Sequence, residues 1–393
     1  MATQLPERIF DQRLDEIRER LADKEVDGGV WFNATSIEFI SGFHHIQTER
    51  PVALLVTQDE MAITVPRLEV ERVGENARIE SVYHYFDYPG GKPIETIAEM
   101  LGEYGVDSVA ADADGAPGVM GYSGPSLSEF VDVETIDWVG RMRWEKTEEE
   151  VDLIRESARW ANLGHRYLAD FAGVGAHPAT VSQRASLEAS RAMLDTLGDR
   201  FVERVRGNGP VSAGFISGDE SALPHGHTPN ETLEPGDVLV TGATANVDGY
   251  YSELERTMFI GPPSEDQRHY FELMLEAQTL AIESMGPGAS LAGVDDAVQS
   301  YFEEQGVDDL SQHHVGHNIG MGGHEPPYID RGWDDHVEDE ADAKMQPGQV
   351  YTIEPGLYTD EAGYRHSDTV AVTEDGTEQL TYFPRDLESN IIW

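Results

Sequence analysis

The sequence predicts two domains, an α/β domain over residues 1–142 and an α+β domain over residues 143–393. The first part alternates helix and strand patterns. The second interleaves long helices with strand pairs closed by glycine-containing turns, an order that favours an antiparallel sheet over a doubly wound parallel one. The pattern changes at RMRWEKTEEEVDLI, where Thr147 followed by a run of acids reads as the N-cap and first turn of a long helix. A chain of 393 residues can fill two cores of this size.

Taken in order, Ile9, Leu14, Ile17 and Leu21 fall at amphipathic helix spacing, and a helix is predicted over about 11–22. GGVWFNA, VALLVT and MAITVPR follow as strands, ETIAEMLGEYG as a helix and SVAAD as a strand. DADGAPGVMGYSGP is rich in turn formers and reads as a loop. Beyond the boundary, helices are predicted over 151–171, 179–197, 264–285 and 291–305.

The formal net charge is −47, from 74 acidic and 27 basic residues. The acids are spread along the chain rather than gathered in a tail, and such a surface repels nucleic acid and anionic membranes. It points to a halophilic source, because self-repulsion is screened over only about 3 Å at 1 M salt. The absence of cysteine excludes disulfides, thiolate metal sites and thiol nucleophiles. No apolar run reaches the roughly 18 residues of a membrane helix, and the first residues lack a secretory pattern, so a cytoplasmic location is expected. No glycine-rich phosphate motif follows a strand, which leaves nucleotide binding without support.

The segment GDVLVTGATANVDGYYSELERTMFIG reads as a metal-binding hairpin with one ligand missing, because Gly242 stands where a carboxylate is needed. HHVGHNIG, TIEPGLY and YRHSDTV supply further pieces of such a site, the last with Ser367 at a second carboxylate position. Together with PHG, HEPP and SDTVAVTEDG, these segments resemble the creatinase, prolidase and methionine aminopeptidase family. The resemblance implies a pita-bread catalytic domain, a smaller creatinase/prolidase-type α/β domain before it, and a homodimer.

The family's metallopeptidases use five ligands, which correspond here to Gly242, Glu253, His317, Glu354 and Ser367. Two of the five have lost ligand chemistry. Glu253, His317 and Glu354 could still hold one divalent ion such as Mn or Zn. Creatinase, the branch that works without metal, gives the nearer active-site pattern. Its catalytic positions are matched by Glu255 in the LERT run, by His225 eleven residues before Gly236, and by Glu354. An arginine of its N-terminal domain that reaches a neighbouring subunit's substrate is matched by Arg50. His324 replaces creatinase's carboxylate-binding arginine and, with Glu325, follows the peptidases instead.

Carboxylates gathered at one site need a neutralising cation. The expectation drawn from these positions is a metal-independent, cofactor-free hydrolase of a non-peptide C–N bond in a small guanidino or amidine compound. In that reading Glu255 and Glu354 hold the cationic substrate and His225 activates water, while Arg50, Glu253, His317 and His324 contact the substrate. The alternatives are a Xaa-Pro dipeptidase or aminopeptidase with a modified metal site, and a non-catalytic binding protein.

Overall fold

The computed structural model describes residues 3–202, 204, 209–228 and 230–393. The chain divides into two compact units, Pro6–Met142 and one built on Arg143–Trp393.

The first unit carries a six-stranded mixed sheet in the order Ser81–Tyr85, Met61–Pro66, Ala53–Val56, Gly28–Trp31, Ser108–Ala111, Asp132–Thr135. Its central strands are buried on both faces, which explains their continuous apolar runs. The helix Pro93–Glu103 covers one face through Ile94, Ile97, Met100 and Leu101, an i, i+3, i+6, i+7 set. The helix Glu7–Lys24 buries Ile9, Arg13, Ile17 and Leu21, so its apolar stripe lies where the periodicity puts it, although the helix extends beyond 11–22 at both ends.

In the second unit the four predicted helices form as Glu148–Phe171, Pro178–Leu197, Glu265–Ser284 and Leu291–Gln305. Thr147 caps the first through a capping box: its hydroxyl accepts from the Glu150 amide, and the Glu150 carboxylate accepts from the Thr147 amide. A sheet of nine strands runs in the order Glu325–Ile329, Gly316–Asn318, Val350–Ile353, Ser367–Thr373, Tyr250–Ile260, Val238–Val247, Val211–Ser217, with two short strands attached to this path. Its pairings are antiparallel except for Ile391–Ile392, which pairs in parallel with Phe259 and Ile260.

Strand alternation divides the apolar residues of this sheet between two cores. Val238, Phe259, Val370 and Val372 pack with the helices Glu265–Ser284 and Leu291–Gln305. Leu239, Met258 and Ala371 pack with Glu148–Phe171 and Pro178–Leu197. Leu153 and Ile154 are fully buried in the second core, and each contributes about 1.5–3 kcal/mol by leaving water. Ile154→Ala would therefore cost about 2–5 kcal/mol. No described helix is long and apolar enough to cross a membrane.

Candidate metal and active site

The hairpin Val238–Val247/Tyr250–Ile260 turns at Asp248 and Gly249, both at positive φ (52° and 91°), as a two-residue hairpin of matching twist requires. Its second strand alternates, so Glu253 and Glu255 project to one face while Leu254 and Arg256 are buried. Register then places Gly242 opposite Glu255 on one side and Ser367 opposite Glu255 on the other. Further along the sheet, His317 lies on the strand Gly316–Asn318, and Glu354 directly follows Val350–Ile353. These two segments approach so closely that a Cβ on Gly316 would collide with the Thr352 carbonyl, so only glycine fits there.

Glu253, His317 and Glu354 each present one donor atom, and the three atoms lie within 4.8 Å of one another. His317 Nδ1 donates to the Asn318 carbonyl at 3.0 Å, which turns Nε2 toward Glu354 Oε1 at 3.1 Å. Orienting a histidine ligand through its other ring nitrogen in this way fixes the nitrogen left for a metal. Glu253 Oε1 accepts from Ser367 Oγ at 2.8 Å, so the hydroxyl at the lost carboxylate position now steadies a remaining one.

The electrostatics follow from burial. Burial, with Glu354 and Glu255 adding repulsion, pushes Glu253 up to about 8. Burial also opposes the charge of His317, yet its hydrogen bond to Glu354 and the pull of both glutamates hold it up at about 9. Burial likewise opposes the charge of Glu354, but the His317 hydrogen bond and charge bring it down to about 2.

Glu255 departs from the sequence expectation. Both of its oxygens are taken by Arg365: Nε donates to Oε2 at 2.5 Å and Nη2 to Oε1 at 3.0 Å. Its side chain also covers Gly242, with Oε1 3.5 Å from where a Cβ would stand. Arg365 Nη1 donates to the Tyr358 hydroxyl at 2.9 Å, and the Tyr358 hydroxyl meets His313 Nε2 at 2.9 Å. Because the His314 carbonyl can only accept, His313 Nδ1 carries the proton (2.9 Å) and Nε2 accepts from Tyr358. Burial lowers His313, in keeping with this neutral tautomer. Arg365 and Tyr358 were missed in the sequence. Alternation would have found Arg365, which stands two residues before Ser367 on a strand pattern facing Glu255.

The remaining predicted residues are placed as follows. His225 is exposed on the loop after Gly218–Ala222, next to Pro224, whose carbonyl accepts from Arg365 Nη1 at 3.2 Å. It is near enough to His313 and His324 to disfavour their protonation. The His324 ring stacks on His317, with centroids 3.9 Å apart and planes at 27°. Arg50 belongs to the first unit, where it is paired with Asp87 at 2.6 Å and Glu49 at 2.9 Å.

This donor set fits one divalent ion: two carboxylates and an oriented imidazole converge, and together with Glu255 their charge calls for a dication. It does not fit a second. Gly242 has no donor, Ser367 offers only a hydroxyl already bonded to Glu253, and the space over Gly242 is taken by the Glu255 side chain, whose oxygens are held by Arg365.

Fold and site together define a hydrolase of the pita-bread class. The sequence matches the metallopeptidase family M24 over residues 152–374 and the creatinase/prolidase N-terminal domain over residues 13–143, and the chain belongs to this family. It is 30% identical to a Xaa-Pro dipeptidase of Pyrococcus furiosus over 346 residues, spanning 85% of this chain and 88% of that protein. It is 27% identical to the Xaa-Pro dipeptidase of Pyrococcus horikoshii over 96% of this chain and 99% of that one. The crystal structure of the prolidase from Pyrococcus horikoshii OT3 superposes with a TM-score of 0.78 at 25% identity, over 96% of this chain and 99% of the other.

These relatives overturn the expectation of a metal-independent, cofactor-free hydrolase of a guanidino or amidine compound, and with it the creatinase-like assignment. The physical reason lies in Arg365. A guanidinium already sits on Glu255, supplied by the chain itself, so the cation inferred for the substrate has no partner there.

Proposed function

We propose that this chain is a metallopeptidase of the Xaa-Pro dipeptidase type that works with one divalent ion held by Glu253, His317 and Glu354. The observation that carries this is the convergence of the three donor atoms within 4.8 Å. Charge balance supports a single ion: the three carboxylates of Glu253, Glu255 and Glu354 are offset by one guanidinium, Arg365, and one dication. Three protein ligands with an open position are an ordinary catalytic arrangement.

When bound, such an ion supplies a Lewis acid for the scissile carbonyl and for water. The chain's own residues do the rest. Glu255 is clamped by Arg365 and contributes fixed negative charge rather than a mobile proton carrier. His225 and His324 stand at the rim, where an imidazole can donate to the carboxylate end of a dipeptide or hand a proton to the leaving amine. Arg50, already paired within its own unit, is read as a structural cation here.

We also take the molecule to be a cytoplasmic homodimer, as the family resemblance implies for the dimer, and its surface to be salt-adapted, which the net charge of −47 supports.

Metal analysis combined with a dipeptide panel tests the proposal. The expected result is one tightly bound ion per chain, hydrolysis of Xaa-Pro dipeptides, loss of activity with chelator and its return with Mn²⁺ or Zn²⁺. Two ions per chain, or full activity after complete chelation, would sink it.

A further inference from the structure

Beside the donor cluster lies a cavity of about 330 Å³ lined by His314, His324, Tyr328, Asp330 and Trp333, with His336 at its exposed edge. It adjoins the site, because its lining residue His324 stacks on the metal-donor candidate His317 at 3.9 Å. Its walls are rings: His314 and Tyr328 lie 5.4 Å apart, Tyr328 and Trp333 meet edge to face at 5.6 Å, and Trp333 and His336 are 5.1 Å apart. The Trp333 indole N–H is spent on the Asp342 carbonyl at 2.9 Å, which leaves that residue only apolar surface to offer.

We propose that this cavity is the subsite for a bulky, uncharged, ring-bearing side chain on the variable residue of an Xaa-Pro substrate; the inference rests on the peptidase reading above. The size admits one side chain rather than a length of peptide, in keeping with pockets that begin near 300 Å³. Ring walls favour an aromatic guest through edge-to-face contacts. Among the described residues no lysine or arginine lines the cavity to attract an acid, and the Asp330 carboxylate repels one. One Asp330 oxygen already accepts from the Gly332 amide at 2.7 Å, which weakens it as a site for a basic side chain.

The test compares kcat/KM for Phe-Pro, Gly-Pro, Lys-Pro and Glu-Pro in the metal-loaded enzyme and in two variants, Tyr328→Ala and the exposed-edge variant His336→Ala. Phe-Pro is expected to exceed Gly-Pro at least tenfold, mainly through KM, with Lys-Pro and Glu-Pro at or below Gly-Pro. Both variants are expected to shrink the Phe-Pro to Gly-Pro ratio severalfold. A ratio near one in the native enzyme, a preference for Lys-Pro, or variants that lose Phe-Pro and Gly-Pro in equal proportion would overturn the inference while leaving the peptidase reading intact. If no Xaa-Pro dipeptide is cleaved, the peptidase reading fails, and calorimetric binding of L-phenylalanine amide against glycine amide still decides the cavity. Tighter binding of the aromatic amide that weakens in Tyr328→Ala supports the cavity assignment, and equal binding removes it.

Discussion

Arg365, at the end of the short strand Gly363–Arg365, grips Glu255 with two hydrogen bonds of 2.5 and 3.0 Å, and the Glu255 side chain lies over the side-chain-free Gly242. The pair is 10% and 15% exposed, so its partners have little water to fall back on. Removing one member should be much worse than removing both, because a lone buried charge is left behind. Arg365→Met is expected to cost about 3–5 kcal/mol, and the double variant Arg365→Met/Glu255→Gln less than Arg365→Met alone. Urea unfolding of the four proteins measures the coupling; strictly additive losses would show that the pair is not the clamp described here.

Ser367 is expected to tune metal affinity although it is no longer a ligand. Its hydroxyl donates to Glu253 Oε1 at 2.8 Å and so fixes that carboxylate before a metal arrives. Ser367→Ala should weaken binding about 10-fold, at the lower end of what loss of such an orienting partner costs. Competition against a chelator of known affinity reads this directly, and unchanged affinity would refute it.

The metal-free protein should lose stability as pH rises. His317, raised to about 9, and Glu253, raised to about 8, both bind protons more tightly folded than unfolded. For such groups stability falls with pH. The His317 contribution is complete below its unfolded value of about 6.5 and vanishes through its folded one. The Glu253 cost grows from about 4.5 upward. With chelator present, the melting temperature is expected to decline between pH 6 and 9, and His317→Asn should flatten the upper part of that decline. Saturating metal should remove most of the slope, since both groups then give up their protons in either case. A melting temperature that climbs over this range would falsify the assignment.

Tyr358 bridges Arg365 and His313 with two 2.9 Å hydrogen bonds. Tyr358→Phe leaves a donor on Arg365 and an acceptor on His313 unsatisfied, at a cost of about 1–3 kcal/mol. The expected signature is a fall in kcat of about tenfold with the metal content unchanged; loss of metal instead would place Tyr358 in a different role.

High salt should stabilise this chain. With a net charge of −47, self-repulsion at 0.1 M salt acts over about 10 Å and at 1 M over about 3 Å. Raising KCl from 0.1 to 2 M is expected to increase the melting temperature by several degrees, and a flat response in scanning calorimetry would argue against salt adaptation.

Local pattern determined a good deal of this molecule by itself. Periodicity marked the helices Glu148–Phe171 and Leu291–Gln305 within a few residues, and Thr147 marked its own cap. The ordered motifs singled out Glu253, His317 and Glu354 as the residues that could still hold one ion, and their donor atoms lie within 4.8 Å of one another. What the sequence could not supply was the identity of the cation that answers Glu255. That depends on Arg365, 110 residues away, being brought beside it by strand pairing. Charge alone says that a cation is needed, and a substrate meets that need on paper as well as an arginine does. Only the tertiary pairing decides between them, because the register of Ser367 against Glu255 brings Arg365, two residues before Ser367, within hydrogen-bond reach of both Glu255 oxygens and so supplies the cation from within the chain.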